Sequence, residues 1–162
     1  EDVVALVRNC LPARFRTSKW QLAYCTQRDG FSLHTLYRKA SGLSPTVLVI
    51  KDSGGHIFGA FCPEPWKIGP RFYGTGETRV FSIYPRRKLY PWLQPQGLQQ
   101  LNDFFMFSTH EGLGVGGSGH YAIWMDNDLL EGSSADCATF GSPCLASNTD
   151  FRVASVELWA LH

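Results

Sequence analysis

Positive charge is almost absent from the second half of this 162-residue sequence: no lysine follows Lys88, and Arg152 is the only arginine beyond it. Residues 1–88 carry 14 Lys and Arg against 6 Asp and Glu, and residues 89–162 carry 1 against 8, so the net charge of +1 conceals two halves of opposite sign. If the halves interleave, we expect ordinary cross-strand ion pairs, and we favour this arrangement. Segregated halves would instead give a basic and an acidic face that orient the domain against a charged partner.

Arginine–aromatic clusters, long apolar runs and closely paired cysteines are also lacking. Because the only basic cluster is the short run Pro85–Lys88, no nucleic-acid partner is expected. The clearest apolar run, Val47–Ile50, is far shorter than the roughly 18 residues of a membrane-spanning helix, so no membrane insertion is expected. The five cysteines include no C-x-x-C pair, which argues against a zinc site or a secreted disulfide framework and favours a reducing, intracellular environment, although Cys137 and Cys144 could pair.

The residues that are present indicate one mostly β domain over residues 1–162, with a core rich in aromatic side chains. Alternating apolar residues predict strands at Trp20–Tyr24, Thr46–Lys51, His56–Phe61, Thr78–Tyr84, Phe104–Ser108, Tyr121–Met125 and Phe151–Trp159. Asp52-Ser-Gly-Gly55 predicts a hairpin turn, and Ser32 the N-cap of a helix. The polar stretch Pro91–Gln100 indicates an exposed insertion. The chain begins at Glu1 rather than at a methionine, which favours a domain excised from a longer protein.

The run Gly112-Leu-Gly-Val-Gly-Gly-Ser-Gly119 satisfies the dinucleotide-binding pattern twice. That pattern holds a pyrophosphate only where the glycines open a helix, whereas strand-like residues flank them here. A kinase-type phosphate cover would need a lysine on a following strand, and no lysine follows. We therefore predict a loop between two strands, with glycines that allow positive φ and close approach, and we expect no cofactor.

Three other patterns suggest chemistry less strongly than they suggest structure. No Gly-x-Ser-x-Gly elbow between a strand and a helix supports a hydrolase triad. Asp126-Asn-Asp128 begins like a calcium loop but lacks the later ligand and glycine, so a turn from a strand into a helix, capped by Asp128, is predicted instead. His110-Glu111 and His120 could meet at a metal ion, yet no second histidine stands four residues on, and no metal is expected.

Glu77 and the tryptophans leave functional alternatives open. Glu77 follows the turn Gly74-Thr-Gly76, and its carboxylate would need amide or hydroxyl donors if buried. We favour this structural role over a partner contact, and both over acid–base catalysis. Five tryptophans could mark a glycan-binding sandwich; Trp92, in the insertion, is predicted to be exposed, and the other four to lie in the core (Trp20, Trp66, Trp124, Trp159).

A dozen segments, taken in order, resemble the TLDc domain of oxidation resistance proteins and nuclear receptor coactivator 7. The first half supplies Leu11–Arg14, Trp20–Tyr24, Gly30–Leu33, Leu36–Tyr37, Val47–Lys51, Ile57–Phe61, Phe72-Tyr-Gly-Thr-Gly-Glu77 and Val80–Phe81. The second half supplies Leu113–Tyr121, Trp124–Asp126, Asp128–Leu129, Thr139–Phe140 and Val156–Trp159. Each match is weak alone, but their common order over residues 11–162 is highly specific.

The resemblance implies an α+β, mostly β fold in which two antiparallel sheets pack as a sandwich flanked by short helices, with no established catalytic activity. It also implies a role in oxidative-stress resistance and binding to the vacuolar proton pump (V-ATPase). We therefore expect a cytoplasmic monomer that reaches acidic organelles through a protein partner. The residues carried over as a partner-binding or structural signature are Gly74, Gly76, Glu77, Gly114, Gly116, Gly117, Gly119, Asp126 and Asp128, together with Trp124.

The sequence departs from the family pattern at four places. Cys25 replaces the usual serine, Asp29 stands where histidine is common, Phe140-Gly-Ser-Pro143 replaces a Phe-Asn-Asn-Pro-like turn, and Pro91–Gln100 is unusual. These departures indicate a divergent branch. Two alternative functions stay open: a cysteine-based antioxidant or redox enzyme with Cys25 or Cys137 as the accessible thiol, and a glycan-binding β-sandwich centred on Trp92.

Overall fold

The computed structural model describes residues 3–93 and 102–162. Their short helices are α1 (Val3–Arg8), α2 (Thr26–Asp29) and α3 (Leu33–Ala40), with a 3-10 turn at Ala13–Phe15. Their ten strands are β1 (Trp20–Cys25), β2 (Thr46–Asp52), β3 (Ile57–Cys62), β4 (Arg79–Tyr84), β5 (Lys88–Pro91), β6 (Met106–Ser108), β7 (Gly112–Val115), β8 (Ile123–Asp126), β9 (Glu131–Ser133) and β10 (Asp150–Leu161). The prediction of a mostly β fold with short helices is confirmed.

The strands pair antiparallel along one continuous path, β5-β4-β3-β2-β10-β9-β8-β7-β6, and β1 pairs with β10 beside this path. β10 is the element that joins the two parts. Its first three residues pair with β9, and the part from Val153 onward lies between β1 and β2. A first sheet of β1 to β5 and a second sheet of β6 to β9 therefore share one 12-residue strand.

One apolar core lies between the sheets. Leu48 and Phe58 of the first sheet belong to the same buried cluster as Leu113 and Met125 of the second, and Leu36 of α3 joins them. A second cluster covers the other face of the first sheet, where α1 and the segment after it pack over Val47, Val49, Phe61 and Phe81. Because both faces of its centre are covered, β2 carries the continuous apolar run Val47–Ile50 rather than an alternating pattern. The shared core between the sheets confirms the predicted sandwich.

Asp52 fixes the turn of the β2–β3 hairpin and ties it to a distant loop. Its carboxylate is 1% exposed, and one oxygen accepts the backbone N–H groups of Gly54 and His56 at 3.0 and 2.9 Å. The other oxygen accepts the N–H and the hydroxyl of Ser147 at 2.7 and 2.8 Å. Four donors satisfy a charge that would otherwise be costly to bury.

Three local predictions were wrong. Gly112–Val115 is not part of a loop but forms β7, since the rings of Tyr121 and Trp124 lie against its glycines and supply the packing that glycine lacks. The turn after β8 leads into β9 rather than into a helix. The strands β5 and β9 were not predicted because they are short and partly polar. The predicted insertion Pro91–Gln100 begins inside β5 at Pro91, and residues 94–100 of the insertion lie outside the described residues.

The expected ion pairs between the two halves are also not formed. Within residues 3–93 and 102–162, the ion pairs are Arg14–Glu77, Arg28–Asp29, Lys39–Asp29 and Arg152–Glu131, and none of them joins the basic half to the acidic half. The physical reason is topological: β1 to β5 of the basic half build the first sheet, β6 to β9 of the acidic half build the second, and only β10 enters both. The prediction of ion pairs between the halves was therefore wrong for the described residues, and the halves are segregated by sheet except at β10.

Candidate interaction surface

The turn Gly74–Glu77 is packed against the start of the second sheet. Tyr73, just before the turn, forms an isolated antiparallel bridge with Met106, the first residue of β6. A Cβ atom on Gly76 would stand only 2.6 Å from the ring of Trp92, so glycine is required for this ring to reach the turn. Trp92 in turn meets Phe105 edge to face at a centroid distance of 5.2 Å. The turn is thus held rigidly by aromatic packing.

Trp92 is consequently not the exposed ring predicted for a glycan site. It is half-buried against the main core, and its indole N–H donates to the carbonyl of Asn102 at 2.8 Å. The prediction was wrong because a polar, proline-rich sequence around a tryptophan does not reveal the glycine turn on which its ring packs. A sugar could not stack on a face of this ring that already covers Gly76 and Phe105.

Glu77 lies at the surface and pairs with an arginine. Its Oε1 accepts a hydrogen bond from Nη2 of Arg14 at 2.6 Å, and the two side chains are 34% and 65% exposed. The Glu77 carboxylate is thus partly exposed and pairs with a guanidinium group, so it does not need the amide and hydroxyl donors that a buried carboxylate would require. The backbone of Glu77 makes two further hydrogen bonds: its carbonyl accepts one from Nε of Arg79 at 3.0 Å, and its N–H donates one to Thr75 Oγ1 at 3.2 Å.

Arg79 lies beside this ion pair, and it belongs to a set of arginines around Cys10. Burial raises the pKa of the Cys10 thiol overall, and three nearby arginines oppose this shift: Arg87, Arg79 and Arg16. Burial lowers the pKa of Arg79, Glu77 opposes that shift, and Arg16 adds to it. We call the set Arg14, Arg16, Arg79 and Arg87 the arginine surface. Arg14, Arg16 and Arg87 are exposed.

The glycine-rich segment reaches the same region from the other side. A Cβ atom on Gly74 would lie 3.0 Å from Cβ of Phe105, and one on Gly117 would lie 3.0 Å from Cβ of Phe104. The N–H of Gly116 donates to the Phe105 carbonyl at 2.8 Å. The structure therefore brings the two predicted glycine motifs together on either side of one dipeptide.

Most of the glycine-rich segment is inaccessible to a partner. Gly114, Gly116 and Gly117 are buried, whereas Ser118, Gly119 and His120 are exposed. Gly116 has a φ of +80° and is closed in, because a Cβ there would stand 2.6 Å from Sγ of Cys137. Gly119 has a φ of +92° and open space around it. Only the tip of this segment is available for contact.

Asp126 and Asp128 lie elsewhere. The pairing of β7 with β8 sets Gly112 opposite Asp126 and Val115 opposite Ile123, so the acidic turn is at the far end of this hairpin from Gly116. Burial, followed by the hydrogen bond with Asp128, raises the pKa of Asp126, while that bond and the Leu130 amide lower the pKa of Asp128. In the part of the chain that the structure describes, no group of three His, Cys, Asp or Glu side chains is arranged to hold a metal ion.

The two cysteines predicted to be accessible are buried. Cys25, at the end of β1, is 9% exposed, and Cys137 is 2% exposed beneath the glycine-rich segment. Cys25 stands at a strand–helix junction, and Cys137 is covered by a segment distant in sequence. Cys144 is the half-exposed thiol of the five, and all of them are free. Burial raises the pKa of the Cys62 thiol, which keeps it protonated and weakly nucleophilic near neutral pH.

A family model for the TLDc domain matches residues 1–162. The chain belongs to the TLDc domain family. Oxidation resistance protein 1 of Rattus norvegicus is 40% identical over 161 residues, which make up 98% of this chain and 18% of that protein. Nuclear receptor coactivator 7 of Homo sapiens is 41% identical over 152 residues, which make up 93% of this chain and 16% of that protein. The resemblance predicted from the ordered motifs is confirmed, and this TLDc domain spans less than a fifth of the length of these relatives.

Sequence reasoning about the TLDc domain singled out Glu77 and missed the arginines beside it. Arg14 and Glu77 are 63 residues apart, and no local pattern connects them. The available signal was the concentration of positive charge in residues 1–88, which marks a basic half without naming a face. The TLDc domain has no helix, within the ranges described, that is long and apolar enough to cross a membrane.

Proposed function

We propose that this TLDc domain is a non-catalytic protein-interaction module, monomeric and cytoplasmic, that supports oxidative-stress resistance by binding V-ATPase subunits at acidic organelles. Relatives named oxidation resistance protein support the link to stress resistance. The pump as partner follows from the resemblance to the TLDc family. The observation that carries the proposal is the arginine surface with the exposed Arg14–Glu77 pair at its edge.

The arginine surface suits an acidic protein patch. Guanidinium groups remain charged at all physiological pH values and bind carboxylates through two parallel hydrogen bonds. Glu77 holds Arg14 in one position through its 2.6 Å hydrogen bond, and Nε of Arg16 donates to the Leu11 carbonyl at 3.2 Å, so part of the surface is already ordered before binding. Pre-ordered side chains lose less entropy on association. Binding through this surface is expected to weaken as salt rises.

The test is direct binding of the folded domain to purified pump subunits. Charge reversal at the exposed Arg14, Arg14→Glu, is expected to weaken binding at least about tenfold, since it replaces an attraction by a repulsion. Arg152→Glu is the matched control: Arg152 is 75% exposed and lies in the acidic half, and its reversal is expected to change affinity less than about twofold. No binding by the wild-type domain at tens of micromolar would remove the pump from the proposal, and equal losses in the two variants would remove the arginine surface.

A further inference from the structure

A groove on another face of the domain has no role in the function proposed above. It has a volume of about 430 Å³ and lies between α3 and two loops, one after β3 and one between β6 and β7. Leu33, Tyr37 and Ile68 form its apolar wall, and His34, Arg38 and His110 contribute nitrogen donors. We call it the α3 groove. Its volume falls within the range of ordinary ligand sites.

The walls of the α3 groove are held in place by hydrogen bonds. The Tyr37 hydroxyl donates to the Gly112 carbonyl at 3.0 Å, which fixes α3 against the start of β7. The loop bearing Ile68 is attached by the Gly69 N–H, which donates to the Ser108 carbonyl at 3.1 Å. The turn bearing His110 is closed by Thr109 Oγ1, which accepts the N–H of Gly112 at 3.1 Å. A groove formed before binding needs little further ordering when a ligand enters.

The side chains at the rim are available for a ligand. Ile68 is 46% exposed, and His34, Arg38 and His110 are all exposed. Among the described residues, Arg38 forms no ion pair and its guanidinium no hydrogen bond, unlike Arg14 and Arg28. Lys39, the next residue on α3, is already paired with Asp29 at 3.2 Å.

The charges indicate which ligand fits. Among residues 3–93 and 102–162, no acidic side chain lines the groove; Glu111 beside His110 is exposed but is not part of the lining. The acidic turn Asp126–Asp128 meets α3 where the Asn127 carbonyl accepts the Leu33 N–H, but Asp126 and Asp128 direct carboxylate oxygens to the Leu130 amide. Arg38 therefore offers an uncompensated positive charge next to an apolar wall.

We propose that the α3 groove binds a short acidic peptide segment of a partner protein, with an aliphatic side chain against Leu33, Tyr37 and Ile68 and a carboxylate on Arg38. An inorganic anion would leave the apolar wall unused, and a flat lipid surface would not fill a concave site. This inference is independent of pump binding, because it uses a different face of the domain and different residues.

The test is a titration of the isotopically labelled domain with an acetylated, amidated octapeptide that alternates leucine and aspartate, followed by amide chemical shifts. Saturable shifts are expected on α3 and around Ile68 and His110, with affinity that falls as salt is raised. Arg38→Glu is expected to weaken binding at least about tenfold. Arg86→Glu, an equally exposed reversal outside the groove, is expected to change it less than about twofold.

Two further probes separate the possible occupants. A peptide with lysine in place of aspartate and inorganic phosphate are both expected to bind at least about tenfold more weakly than the acidic peptide. Phosphate binding as tight as the peptide's would overturn the proposal in favour of a simple anion site. Arg38-dependent binding to vesicles of anionic phospholipid, without peptide shifts on α3, would overturn it in favour of a lipid surface. Because no pump subunit is used, failure here and failure of the pump proposal are separate results.

Discussion

Replacing Glu77 by alanine separates a structural from a functional role for this residue. In the ion pair with Arg14, the side chain of Glu77 is 34% exposed and that of Arg14 is 65% exposed. Exposed ion pairs contribute about 0–1 kcal/mol to the free energy of unfolding. The other two contacts at this position, from Nε of Arg79 to the Glu77 carbonyl and from the Glu77 N–H to Thr75, involve the backbone and survive the substitution. We therefore expect Glu77→Ala to lower the free energy of unfolding by at most about 1 kcal/mol, or the melting temperature by about 2–4 °C.

The two measurements are thermal unfolding by circular dichroism and affinity for purified V-ATPase subunits. If Glu77 orients Arg14 for binding, Glu77→Ala weakens binding at least about fivefold while the melting temperature hardly changes. Glu77→Gln keeps an oxygen acceptor for Arg14 and is expected to retain most of the affinity. A fall in melting temperature of more than about 8 °C would refute the surface assignment. Unchanged affinity in a folded Glu77→Ala domain would refute its role in orienting Arg14.

Two more predictions concern stability. Hydrogen bonds from Arg28, then from the Cys25 N–H and Lys39, hold the pKa of Asp29 below its usual range. The ionised Asp29 therefore stabilises the fold fully above the unfolded pKa of about 3.9, and this stabilisation is lost as pH falls further. In urea unfolding, Asp29→Asn should differ from wild type in free energy of unfolding at about pH 7, and that difference should shrink below about pH 4. Gly116→Ala and Gly119→Ala share the strain of a positive φ, but only Gly116→Ala places a Cβ 2.6 Å from Cys137 Sγ. The free energy of unfolding of Gly116→Ala should therefore be about 1–3 kcal/mol lower than that of Gly119→Ala. Equal losses for the two glycine variants would contradict the packing argument.

The sequence predicts elements whose causes are local. The β2–β3 hairpin follows from Asp52-Ser-Gly-Gly55, and α3 begins where Ser32 was predicted to cap it, with Ser32 Oγ accepting the Thr35 N–H at 3.2 Å. The second role of Asp52, the link to Ser147, joins residues 95 positions apart and has no local signature. β7 was not predicted for a related reason: glycine disfavours strands, and the rings that compensate, Tyr121 and Trp124, lie just before and on the following strand.

The candidate sites were predicted in part. The ordered motifs identified the family, and the glycine turns around Phe104 and Phe105 prove to be neighbours in space. Which residues of the signature reach the surface could not be predicted, because burial of Gly114, Gly116 and Gly117 depends on segments distant in sequence. Whether the signature residues bind a partner stays a prediction for the binding experiments. The arginine surface forms when the segment after α1 packs on the first sheet, and the α3 groove forms when α3 meets loops of both sheets, so both depend on contacts between residues distant in sequence.

The position of β10 has a consequence for how the protein is made. Residues 150–161 form the last strand of the described residues, yet they supply the partner of β1, β2 and β9. During translation, β1 to β5 are made well before this common partner, so β1 and the free edge of β2 stay unpaired and favour aggregation until residues 150–161 have emerged from the ribosome. A message truncated before Asp150 would therefore yield two unjoined sheets with an exposed core, a product for chaperones and proteases rather than a shortened working domain.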